Sequence, residues 1–170
     1  MIEIEVRVTE LNQLFNPIDP APLQKRDLAP RIEEFIIDWA KDLPRDVPLG
    51  LVVHVDSPPE ETAFVGEAVH EFFRQKAIAE RRRLRELFRR GRISLGIGLA
   101  FLSLTLIASR LLINWLDIRG MLDVVHTSLS IAGWVAMWRP MEVFLYDWWP
   151  IRAEARLSEQ LASMPVRVTT

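Results

Sequence analysis

The side chains best suited to chemistry fall into two groups. The first is His54-Val55-Asp56, with His70 further along the chain. Two imidazoles and a carboxylate are the ligand types of a facial metal triad, and a histidine beside an aspartate is the raw material of acid–base catalysis. The sequence does not space them as a metal motif, however. No HExxH, GxSxG or glycine-rich phosphate loop occurs, and Gly96-Ile97-Gly98 lies inside an apolar run rather than after a strand. There is no cysteine, which excludes thiolate nucleophiles and zinc–thiolate sites. The expectation is therefore no metal and no cofactor, with an enzyme centred on His54 and Asp56 as the third-ranked reading.

The second group is Trp134, Trp138, Arg139, Pro140, Glu142, Tyr146 and Asp147. Arg139 and Glu142 are three residues apart, so a helix puts them on one face where they can pair. His126 precedes this group and reads as a polar residue near a membrane boundary rather than a ligand. Charges at membrane depth suggest either an ion or proton path or a structural pair near the interface. The structural pair is the simpler reading, because an arginine stays protonated and Glu142 is the one carboxylate at that depth.

These residues lie in an apolar context set up by a basic collar. Residues 81–92 read RRRLRELFRRGR, and the chain is almost wholly apolar from Ile93. Charge is segregated: residues 1–73 carry a net −9, residues 74–92 carry +7, and residues 93–170 are neutral. Arg81, Arg82, Arg83, Arg85, Arg89 and Arg90 beside an apolar run are a topology signal under the positive-inside rule. They would also attract anionic lipid headgroups. The acidic head argues against nucleic acid as a partner.

The apolar part reads as two spans, about 93–116 and 124–146. Ile93 to Ser109 is free of charge over 17 residues, about 26 Å of helix against a hydrocarbon core of roughly 30 Å. Arg110 then snorkels toward the far boundary, and Trp115 fits an interfacial belt. A short turn, Asp117-Ile118-Arg119-Gly120, implies antiparallel neighbours. Just after the second span Trp148 and Trp149 would form the inner belt, and Arg89 or Arg92 would reach Glu142 or Asp147. Pro140 removes one hydrogen bond of the helix and predicts a kink. Ser94 and Gly98 in the first span, and Ser128, Ala132 and Ala136 in the second, are spaced to let helices approach closely. A homo-oligomer or a larger membrane-protein partner follows as an expectation.

Ahead of the collar, Ile2, Ile4, Val6 and Val8 alternate with charged residues as in a half-buried strand. NPIDPAP, residues 16–22, reads as a stiff loop. Asp27 is a candidate helix cap, followed by an apolar stripe of Leu28, Ile32, Phe35, Ile36, Trp39 and Leu43. Residues 49–55 alternate again. Ser57-Pro58-Pro59-Glu60 forms a capping box launching a long helix without Gly or Pro between Gly66 and Gly91. Two strands make a weak sheet, so the head is expected to complete it with another copy or another protein. MIEIEVRV has neither the basic start nor the apolar run of a signal peptide, so head and termini are expected to be cytoplasmic.

The stretches LFNPIDPAPLQKRDL, EEFIIDWA and GWVAMWRPMEVFLYDWWP resemble an uncharacterised bacterial family of small two-span membrane proteins with a cytoplasmic N-terminal domain. The resemblance implies a bacterial inner membrane and transfers no functional residue.

The fold class read from the sequence is thus an α+β membrane protein. A β-α-β-α cytoplasmic head (1–73) leads through a basic juxtamembrane helix (74–92) into an antiparallel two-helix transmembrane hairpin (93–149) and a cytoplasmic tail (150–170). The expected function is a non-enzymatic adaptor, accessory or scaffold subunit. The alternative is a homo-oligomeric transport or conducting unit with Arg139 and Glu142 at its centre.

Overall fold

A computed structural model describes residues 2–22, 26–44, 47–56, 64–115 and 119–169, with backbone alone at 109, 112–115, 119–123, 125, 126 and 129. Strand β1 (Ile2–Val8) leads through a short 3-10 turn (Leu11–Gln13) and a loop to helix α1 (Pro30–Asp42). Strand β2 (Leu49–Val55) follows, then helices α2 (Val65–Trp115) and α3 (Arg119–Glu142), a π-helical turn (Val143–Asp147), helix α4 (Trp148–Leu161) and strand β3 (Val166–Thr169). Two compact units result. One comprises Met1–Arg81 with Arg152–Thr170, the other Arg82–Ile151.

The first unit is built on a three-stranded parallel sheet in the order β1-β2-β3. Ile4 pairs with Leu51, and Leu51 in turn with Val166. Period-2 alternation puts Ile4, Val6, Leu49, Leu51, Val53 and Val55 on one face, where they join Ile36, Val65, Val69, Phe73 and Leu161 in a single core. Phe73, Val53 and Leu161 are fully enclosed. Asp27 does not cap α1: its amide donates to Asp19 and its carbonyl accepts from Asn16, so the helix starts after Ala29 with Pro30 in the first turn. The capping box at 57–60 lies outside the described residues. Downstream of it, α2 runs without a break through the basic collar.

Both halves of the expected fold class are corrected. The sheet is not left at two strands for another chain to complete. Residues 166–169 supply β3 on the free side of β2, so segment 150–170 is part of the head and not a tail. Among the interactions that hold the returning segment are His70 Nε2 with the Met164 carbonyl at 2.7 Å and Gln160 Nε2 donating to the Val47 carbonyl at 3.0 Å. The antiparallel two-helix transmembrane hairpin is not found either. Among the described residues one helix, over Val65–Ala108, is long and apolar enough to cross a membrane. The second expected span falls short for a physical reason. Its charge-free stretch, Val124 to Trp138, is only about 22 Å of helix, and Pro140 lies inside α3 one residue after Arg139.

Candidate functional site

In the second unit the site is a seam between α2 and α3. Phe88, Gly91, Leu95, Gly98, Leu102 and Thr105 recur at alternating spacings of three and four, the a/d rhythm of a packed helix. Gly91 and Gly98 are buried, and a β-carbon on either would meet the other helix. At Gly91 it would lie 2.7 Å from Val143 Cγ1; at Gly98 it would lie 3.1 Å from Met137 Sδ and 3.5 Å from the Ala136 carbonyl oxygen. From the opposite side, a β-carbon on Gly133 would lie 2.7 Å from Leu102 Cδ1. Thr105, also buried, donates its hydroxyl to the Phe101 carbonyl at 2.7 Å, which satisfies it within its own helix.

Of the small residues singled out by spacing, Gly98 and Ala136 lie on this seam, and Pro140, one turn after Ala136, is buried. Ser94 is half-buried, while Ser128 and Ala132 are exposed. Gly91, Leu102, Gly133 and Val143 are the seam residues the four-residue spacing missed. The seven-residue interval Gly91–Gly98–Thr105 would have pointed to Gly91.

Arg139 Nη1 donates to Glu142 Oε2 at 2.9 Å, and the pair is exposed on α3. Pro140 precedes the π-helical turn Val143–Asp147, where the helical ladder widens. The indole of Trp148 donates to the Phe144 carbonyl at 2.9 Å, supplying a donor for a backbone acceptor within that turn. The expected bridges from Arg89 or Arg92 to Glu142 or Asp147 do not form among the described residues. The level they would occupy is taken by apolar and aromatic contacts. Gly91 meets Val143, and Phe88 lies 6.2 Å from Phe144 and 6.5 Å from Trp148, ring centre to ring centre. Arg89, Arg90 and Arg92 are turned away from the seam and exposed, as are Arg82, Arg83 and Arg85. Arg81 meets Glu159 at 2.5 Å within the first unit. The side chains of Trp115 and His126 lie outside the described residues.

No family model, curated protein or solved structure matches this chain.

In the first unit the chemistry-bearing residues lie on the sheet face opposite the core. Parallel sheets are ordinarily covered on both faces, but here Glu3, Glu5, Arg7, Arg167 and Thr169 are exposed. Two diagonals cross this face. Arg167 Nη2 meets Glu3 Oε1 at 3.1 Å, bridging the outer strands across β2, where Gly50 lies opposite Glu3 and has no side chain to obstruct the bridge. Beside it, Thr169 Oγ1 is 2.7 Å from His54 Nδ1, and His54 Nε2 is 3.7 Å from Glu5 Oε2. That last distance is too long for a hydrogen bond, so the shielded Nε2 has an acidic neighbour but no hydrogen-bond partner among the described residues. A hydroxyl, an imidazole and a carboxylate in line have the order of a catalytic triad, although the acid stands off. His70 is not drawn into this group: it holds Met164. Asp56 is exposed. Among the described residues no cluster of three His, Cys, Asp or Glu side chains could hold a metal ion.

The NPIDPAP loop is knit by its own polar side chains. Asn16 Oδ1 accepts from the Ile18 amide at 3.1 Å, Asp19 Oδ1 from the Ala21 amide at 2.9 Å and Asp19 Oδ2 from the Asp27 amide at 2.9 Å. The Ala21 and Asp27 amides, with a smaller contribution from the Arg26 charge, hold the Asp19 carboxyl below the usual aspartate range. The loop presents Ile18 to solvent, 87% exposed.

Proposed function

We propose that the chain is a membrane-anchored, non-enzymatic adaptor or accessory subunit, with α2 as its anchor and the sheet unit as its contact module. The observation that carries this reading is the change of surface along one unbroken helix. Val65, Val69 and Phe73 belong to a soluble-type core, whereas Ile97, Leu104 and Ile107 further along α2 are more than half exposed. Large apolar side chains exposed in a row are unfavourable in water and favourable in lipid.

The arginines at 82, 83, 85, 89, 90 and 92 separate these two environments. They support a cytoplasmic position for the collar, contact with anionic headgroups and, with the family resemblance, a bacterial inner membrane. Pairing of β3 with β2 supports a common side for both termini, because both belong to one folded sheet. The Ile18 loop and the open sheet face are the surfaces such an adaptor would offer to a protein partner.

The test is fractionation of native membranes followed by carbonate washing, with co-purification in mild detergent. The protein is expected to resist carbonate and to bring a partner with it. Release by carbonate would end the anchor reading. A monomer with no co-purifying protein would end the adaptor reading.

A further inference from the structure

Strand β1 is an edge. The Ile2 amide donates to the Pro48 carbonyl, so the even-numbered residues of β1 turn their peptide groups toward β2. By alternation, Glu3, Glu5 and Arg7 turn theirs away from the sheet. No backbone partner for these outward groups occurs among the described residues. An edge of this length is a template for another strand unless something blocks it. The other edge, β3, is four residues long and follows Pro165.

We infer that β1 pairs antiparallel with β1 of a second copy, in a register centred on Val6. In that register Glu5 lies opposite Arg7 of the second copy, and Arg7 opposite its Glu5, so both charged positions are matched twice. Glu5 and Arg7 are 58% and 80% exposed and within 3.8 Å of each other in one chain, where they remain available to partners of opposite sign. The outward peptide groups of residues 5 and 7 then face one another as closely bonded pairs. Val6 opposes Val6, and Ile4 opposes Val8, on the core face, so two apolar sheets continue into one of six strands.

The competing register, centred on Glu5, puts two glutamates directly opposite, which is unfavourable. A parallel pairing of two identical strands is not two-fold symmetric and does not close. This inference concerns the sheet unit alone and stands whether or not α2 enters a bilayer.

The experiment uses the full chain in detergent, with mass measured by light scattering and native mass spectrometry over a dilution series. The wild type is expected to dimerise. Glu5→Arg and Arg7→Glu, each checked for its fold by circular dichroism, are expected to weaken the dimer by about tenfold or more, since each opposes like charges twice. Mixing the two single variants in equal amounts is expected to restore a heterodimer of wild-type strength. The double variant Glu5→Arg/Arg7→Glu should restore a homodimer.

A wild type that stays monomeric, single variants that dimerise normally, or a mixture that stays apart would overturn the inference. A measurement without substitutions guards against misfolding. Exchange of the Glu5 and Arg7 amides should slow as protein concentration rises, and equally fast exchange at all concentrations would also overturn it.

Discussion

Gly91 of α2 and Val143 of the π-helical turn touch with no room for a β-carbon: one placed on Gly91 would lie 2.7 Å from Val143 Cγ1. Valine is stiff at χ1 and cannot swing aside. Gly91→Ala is therefore expected to destabilise the protein by about 1–3 kcal/mol, read by thermal unfolding in detergent. Gly96→Ala is the control. Nothing lies within 4 Å of its β-carbon position, so it should be neutral or stabilising by up to about 1 kcal/mol through helix propensity. Gly133→Ala should fall between the two, because its obstacle is the flexible end of Leu102. Equal effects at all three positions would refute the seam.

The carbonyl of Met164, a buried residue, depends on His70. His70→Leu should cost about 1–3 kcal/mol through the unsatisfied acceptor. Amide exchange at Val166 to Thr169 should accelerate, because β3 loses the clamp that precedes it. A variant with unchanged exchange in β3 would show that the contact is incidental.

Asp19 carries the acid sensitivity of the NPIDPAP loop. Its carboxyl sits below the usual aspartate range in the folded protein, chiefly through the Ala21 and Asp27 amides. A depressed folded value means that the stabilisation is complete above the unfolded value and is lost as pH falls through the folded one. Exchange protection of the Ala21 and Asp27 amides should therefore hold from neutral pH into the aspartate range and decline below it. Asp19→Asn, which has a single acceptor oxygen, should lose protection at one of those amides at every pH.

Arg92 and Asp147 should behave as independent residues. Neither has an ion-pair partner among the described residues, and aromatic contacts occupy the level between them. Charge reversal at each, and at both together, should give additive stabilities within about 0.5 kcal/mol. A clear rescue in the double variant would restore the bridge that the sequence suggests.

Much of the head was legible because its signals are local. Alternation in 2–8 and 49–55 and the uninterrupted helix through the collar follow from periodicity and from where Gly and Pro are missing. What the sequence hid is non-local. Val166-Arg167-Val168-Thr169 is too short to read as a strand by itself, and only pairing with β2 makes it one. Part of the seam escaped for a related reason. A four-residue spacing of small residues reaches Gly98 and Ala136 on the seam but also Ser128 and Ala132 on an exposed face, whereas the buried contacts of α2 follow a seven-residue rhythm through Gly91 and Gly98. Proximity in sequence groups His54 with Asp56. His54 finds Thr169, far along the chain, and not Asp56.

The parallel strand β3 also fixes an order of events during synthesis. Strands β1 and β2 are made early, yet the strand that finishes their sheet lies more than a hundred residues after β2. At about 5–20 residues per second, a ribosome takes on the order of 5–20 s to reach it. Throughout that interval the flank of β2 is bare, while the apolar stretch of α2 has already been made. The sheet closes last, so a nascent chain stalled inside α3 would present an unfinished edge that quality-control factors can recognise.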